Sequence, residues 1–166
     1  MQREMRRINQ ELNKNACLNI LDRNTAGVLA LTSPDGHPYA LPISYARQGE
    51  YLYFHCAPVG HKLDCIAHEK RASLCVIDQD EIHPEKFTTY FRSVIAFGEM
   101  EVIADEAKKR EALNILVDKY ALNAPGREEE INGAFHRVCV LALRMDSISG
   151  KEAIELVRQR EKEKNP

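Results

Sequence analysis

The sequence predicts a mainly β domain with flanking α-helices: about six antiparallel strands coiled into a barrel or a strongly curved sheet, helices outside. Three observations carry this. Runs rich in Val, Ile, Tyr and Phe recur at short intervals between Gly27 and Arg144. The first connections between them are too short for helical crossovers, which makes the pairing antiparallel. Helical spacing is confined to the two chain ends and two internal segments.

Each element has a local reason. Met5, Ile8 and Leu12, then Cys17, Ile20 and Leu21, are spaced for one or two short helices, an N-terminal helical segment over residues 1–24. Val28 to Thr32 reads as a strand, Ser33-Pro34-Asp35-Gly36 as a strong turn and Tyr39 to Tyr45 as the returning strand. A second turn at Gln48-Gly49-Glu50 leads into Tyr51 to His55, completing a three-strand antiparallel meander. Leu63 to Glu69 is helix-like and Ala72 to Ile77 strand-like. A polar loop with Pro84 precedes the long strand-like run Thr88 to Ile103, which Gly98 bends or bulges. Asp105 caps an outer helix over residues 105–120, with Leu113, Leu116, Val117 and Tyr120 on one face. Val138 to Arg144 is the last strand. Ser149-x-x-Glu152 resembles a capping box, opening a charged C-terminal helix and tail over residues 149–166. Without repeats, linkers or low-complexity tracts, residues 1–166 read as a single domain.

Composition narrows the function. Of 166 residues, 44% are hydrophobic and 29% charged, with a net charge of −2. That balance exerts no electrostatic pull on nucleic acid or an anionic membrane, so neither is expected as a partner. No stretch approaches the roughly 20 apolar residues of a transmembrane helix. Met1 to Arg7 lacks the apolar centre of a secretory signal. Cys17, Cys56, Cys65, Cys75 and Cys139 are odd in number, scattered and without a C-x-x-C pair. They read as reduced thiols of a cytoplasmic protein.

The most informative segment is Gly60-His61-Lys62-Leu63-Asp64. A strand that ends in a glycine turn and opens a helix presents free backbone N–H groups to an anion. His61 and Lys62 sit where the macrodipole is positive, which costs a few tenths of a kcal/mol unless something negative binds. A phosphate monoester would remove the conflict, with Lys62 acting as a point charge. A surface turn with a solvated lysine has the same spacing. His61, Cys65 and His68 also fall at i, i+4 and i+7, a donor set that borderline-soft metals accept. That helix face must pack on the sheet, where cysteine acts as a small hydrophobe, and no metal is expected. No G-x-G-x-x-G or P-loop occurs, so a nicotinamide donor has no Rossmann unit of its own here.

Taken in order, three groups of residues resemble a known family. They are Asp35-Gly36-x-Pro38-x-x-x-Pro42-Ile43-Ser44-Tyr45, then Tyr53-Phe54-His55-x-Ala57-x-x-Gly60-His61-Lys62-Leu63-Asp64, then Ser93-Val94-Ile95-Ala96-Phe97-Gly98. This order resembles the pyridoxamine 5′-phosphate oxidase-related flavoproteins, and within them the 5-nitroimidazole-resistance (NimA-like) branch. The resemblance runs from about Thr25 to Lys151. It implies a split β-barrel that dimerises and binds FMN at the dimer interface. The Gly60 turn becomes the phosphate site, with Lys62 and His61 as ligands. Pro42, Ile43, Ser44 and Tyr45 run beside the isoalloxazine, His55 and Ala57 lie near it, and Arg92 and Ser93 stand near the phosphate or ribityl end. The implied activity is that of an FMN-dependent oxidoreductase. Its acceptor would be a nitroimidazole or another small molecule, its donor NADH or NADPH, and His61 its candidate proton donor. A non-catalytic flavin- or haem-binding protein of the same fold is the rival reading. The Arg-rich C-terminal segment of the true oxidases is missing, so oxidation of vitamin B6 is not expected.

Overall fold

The computed structural model describes residues 4–164. A single turn of 3-10 helix at Ile8–Gln10 and a two-residue strand β1 (Glu11–Leu12) precede helix α1 (Lys14–Arg23). Asn13 caps that helix by accepting the Ala16 N–H at 2.9 Å. The N-terminal segment thus includes one full helix, and its Leu12 joins the sheet through β1 instead of a helical face. Strand β2 (Ala26–Thr32) turns back into β3 (Pro38–Ser44), and β4 (Ala46–Gln48) into β5 (Tyr51–Cys56). Helix α2 (His61–His68) leads to β6 (Arg71–His83), which forms a long hairpin with β7 (Thr88–Val102). Helices α3 (Glu106–Ala121) and α4 (Arg127–Ala134) follow, then β8 (Cys139–Glu152) and α5 (Ile154–Lys164).

All eight strands belong to one antiparallel sheet in the order β3-β2-β6-β7-β8-β5-β4, with β1 beside β8. Leu29, Leu74, Val76, Val94, Leu52, Phe54 and Leu141 alternate onto its concave side and are fully buried. The expected three-strand meander is interrupted. β3 and β4 are separated only by Tyr45, yet they stand at opposite ends of the strand order. The sheet therefore curls until its two edges meet at that residue, and β3 pairs with β2 alone. The result is a split β-barrel. Its joint is locked by Tyr45, whose buried hydroxyl donates to the Leu21 carbonyl at 2.7 Å.

Gly98 is required by close approach. A Cβ there would sit 1.8 Å from the Arg144 carbonyl oxygen, and the β7–β8 register shifts at this point. The Asp105 cap is present, its carboxylate accepting the Lys108 N–H at 2.8 Å. Outside the barrel, α3 and α4 build a second apolar cluster in which Ala112, Leu116, Ile131 and Phe135 pack on Ala46 and Val140. The capping box at Ser149 does not form. Residues 149–152 belong to β8, and Glu152 is 1% exposed, held by Arg92 at 3.1 Å and Arg160 at 2.9 Å.

Candidate functional site

The split leaves a cleft between β3 and the end of β5. Ala46 pairs with Tyr53, so extending that register by two residues would set Ser44 opposite His55. No ladder forms there, and both residues are exposed on facing walls. The hydrogen-bond phase of β3 follows from two bonds: Tyr45 N–H to Thr25 O at 3.3 Å and Ser33 N–H to His37 O at 2.9 Å. Antiparallel ladders alternate, so Tyr39, Leu41 and Ile43, in phase with Tyr45, spend their backbone groups on β2. The backbone groups of Pro38, Ala40, Pro42 and Ser44 point away from it. Two of these residues are prolines, so the free edge offers four carbonyls but only the N–H groups of Ala40 and Ser44. A flat polar ligand could be read there in one register only.

At the far end of the cleft stands α2. Gly60 holds φ +139°, a conformation open to glycine, and supplies no side-chain cap. Its carbonyl takes the Leu63 and Asp64 N–H groups, at 2.8 and 3.3 Å, and the His61 and Lys62 N–H groups stay free, as at any helix start. His61 is oriented from below. Its Nε2 lies 2.9 Å from the hydroxyl of buried Ser33, 3.6 Å from the Cys65 Sγ, and its ring packs edge-on against Tyr39 at 4.8 Å. That leaves Nδ1 for a ligand. Lys62 is half-buried and has neither a hydrogen bond nor an ion pair among the described residues. Its field acts downward on the nearby Cys56 thiol, which burial nevertheless holds above the usual range. Lys62, without an ion-pair partner among the described residues, shares the first turn of α2 with Asp64, an arrangement with room for a bound phosphate.

Of the expected residues, Ser44 and His55 face one cavity, Pro42 shares the outward-facing side of β3 with Ser44, and Gly60, His61 and Lys62 form the turn into α2, with Ala57 in the loop that joins β5 to it. The other four lie elsewhere. Ile43 faces the core, its backbone paired with Gly27. Tyr45 is 0% exposed, lies under the Lys119 ammonium at 4.2 Å, and its backbone carbonyl and N–H both meet the Tyr120 hydroxyl, at 2.7 and 2.9 Å. Arg92 is bound to Glu152 and Asp78 beyond the opposite end of β2. Ser93 pairs with Ile77 and Lys151 on the convex face. Two contributors escaped the sequence. Ser33 reads as a turn residue, and its reach to His61 across 28 positions leaves no local signal. Tyr120 reads as a helix-face residue, and its hydroxyl also bonds the Thr25 carbonyl, tying α3 to the start of β2 and to the residue that joins β3 and β4. Among the described residues no group of three His, Cys, Asp or Glu side chains is arranged to hold a metal ion, and no helix is long and apolar enough to cross a membrane.

Residues 13–152 match the pyridoxamine 5′-phosphate oxidase family. The chain belongs to that family. Solved structures place it among similar folds. A putative 5-nitroimidazole antibiotic resistance protein from Bacteroides thetaiotaomicron is 22% identical, with TM-score 0.72 over 86% of each chain. The FAD and heme binding protein of Mycobacterium smegmatis is 28% identical, with TM-score 0.71 over 87% of this chain and 73% of that one. An FAD-binding protein of Mesorhizobium loti is 25% identical, with TM-score 0.64 over 87% and 97%. No curated protein matches the chain.

Proposed function

We propose that the cleft binds FMN and that the protein is an FMN-dependent oxidoreductase acting on a small electron acceptor. The observation that carries this is Lys62, an unpaired half-buried ammonium beside the free N–H groups of α2. Those N–H groups, Lys62 and the free nitrogen of His61 would hold the phosphate. The carbonyl of Pro42 and the N–H of Ser44 would meet the polar edge of the ring, across from His55. When bound, the flavin would supply the electron chemistry between a nicotinamide donor and the acceptor. The chain binds, orients and shields. His61 stands nearly the length of β3 from Ser44, so His55 is the imidazole placed to hand over a proton at the ring.

A nitroimidazole acceptor has the support of a shared fold with the Bacteroides protein. A second reading is a non-catalytic flavin- or haem-binding protein of the same fold; the names of the Mycobacterium and Mesorhizobium proteins, which give FAD and heme as what they bind, support its binding part. We also propose a homodimer. The convex face carries Val28, Cys75 and Ile95 in register across three strands, with Val28 39% and Ile77 60% exposed, and a second copy would cover them. Free cysteines fit a cytoplasmic setting.

One preparation tests these points. Denatured protein should release FMN, light scattering should report about twice 18.9 kDa, and stopped-flow mixing with NADH or NADPH, then a nitroaromatic, should bleach and restore the flavin band. Saturating FMN that leaves the melting temperature unchanged would overturn the assignment. FAD or haem on release, or a bound flavin that no donor reduces, would favour the second reading.

A further inference from the structure

Beyond Ser44 and His55 the cleft opens into a cavity of about 370 Å³ roofed by the outer helices. Its volume lies in the range of small-molecule sites, roughly 300–1,000 Å³. Leu113, Leu116 and Val117 of α3 face Ile131 and Ala134 of α4 across it. Polar groups are few. The Tyr120 hydroxyl at its wall is spent on the Tyr45 and Thr25 backbones, which leaves Ser44 and His55 on the floor and the exposed Glu130 at the rim. No lysine or arginine lines it. Glu130 belongs to an acidic run, Glu128-Glu129-Glu130, in the first turn of α4.

We propose that this chamber is the acceptor site, and that it selects uncharged aromatic-sized molecules and turns away those bearing a carboxylate or phosphate. The inference rests on the reading of the cleft as the flavin site. Apolar walls would bury a flat ring with its edge toward Ser44 and His55. An anion entering would lose its hydration without meeting a cation, and would pass Glu130 on the way. Since α3 and α4 are the elements inserted between β7 and β8, acceptor choice resides in them and cofactor binding in the barrel.

The test is calorimetric titration with two probes of one ring, neutral 4-nitrobenzyl alcohol and anionic 4-nitrobenzoate, with and without saturating FMN. The neutral probe should bind at least tenfold more tightly. Ala134→Trp, which fills the chamber, should weaken it tenfold or more while flavin absorbance is retained. Glu130→Lys, an exposed substitution that spares the fold, should narrow the preference. Equal affinities for both probes in the unsubstituted protein, or an Ala134→Trp protein with unchanged affinity, would overturn the chamber. The two readings separate cleanly. FMN binding with a probe indifferent to Ala134→Trp sinks the chamber alone. A probe that binds in an Ala134-dependent way to protein that takes up no FMN sinks the flavin reading alone.

Discussion

Lys62 and Arg92 are two cations at opposite ends of the barrel wall, and their surroundings are opposite too. β2 runs between them: Ser33 at its C-terminal end contacts His61, and Asn24 before its N-terminal end donates to Asp78 at 2.9 Å. At about 3.3 Å per residue, Asn24 and Ser33 lie roughly 30 Å apart along the strand. Arg92 meets Glu152 at 3.1 Å and Asp78 at 3.3 Å, while Arg23 spans both oxygens of Asp78 and Arg160 meets the other oxygen of Glu152. Every charge there has its opposite within the chain. Lys62 has none among the described residues. Both look alike in the sequence as phosphate ligands, and counting partners tells them apart: a satisfied cation holds the fold, and an unsatisfied one is free to meet a ligand.

The comparison breaks most easily at the satisfied end. Arg92→Ala should lower unfolding stability by about 3 kcal/mol, since it strips one cation from two buried acids. FMN affinity per folded molecule should stay the same. Chemical denaturation followed by flavin titration reads both, and a lost FMN affinity with intact stability would reverse the roles assigned. Lys62→Ala should show the converse. It should weaken FMN by about 1.5–3 kcal/mol and spare riboflavin, while stability shifts by no more than about 0.5 kcal/mol. Equal losses for both ligands would place Lys62 against the ring instead. The smallest effect is on pH dependence. Burial works to raise the Asp78 carboxyl, but Arg23, Asn24 and Arg92 together outweigh it and hold it below its usual value. The stability it contributes is therefore complete above the unfolded-state value of about 4 and fades as pH falls through its lower folded value. Asp78→Asn should flatten the acid limb of a melting-temperature profile; an unchanged limb would mean that other carboxylates set it.

Much of the barrel was legible because alternation and turn chemistry act locally. The Gly98 bulge and the Asp105 cap each need only a few neighbouring residues. What escaped the sequence depends on distant partners. Ser149 and Glu152 have capping-box spacing, but Arg92 and Arg160 draw Glu152 into the core and keep the segment a strand. Helix α4 offers one buried apolar residue, Ile131, and carries Gly133, so no stripe announces it. At the site, the Gly60 turn and the Pro42–Ser44 edge stood out. The burial of Tyr45 and the Ser33–His61 contact arise only when the two edges of the sheet are brought together.

The free edge of β3 has a consequence for solubility. A strand that leaves half its backbone groups unpaired is a template onto which another chain can add. Here a cleft needs that edge open. Pro38 and Pro42 fall on the outward-facing positions, so an incoming strand would find a donor at only every second site and could not zip along it. The same two rings that leave carbonyls free for a ligand thus guard the protein against edge-to-edge aggregation, and Pro42→Val would restore an outward N–H at the cost of that protection.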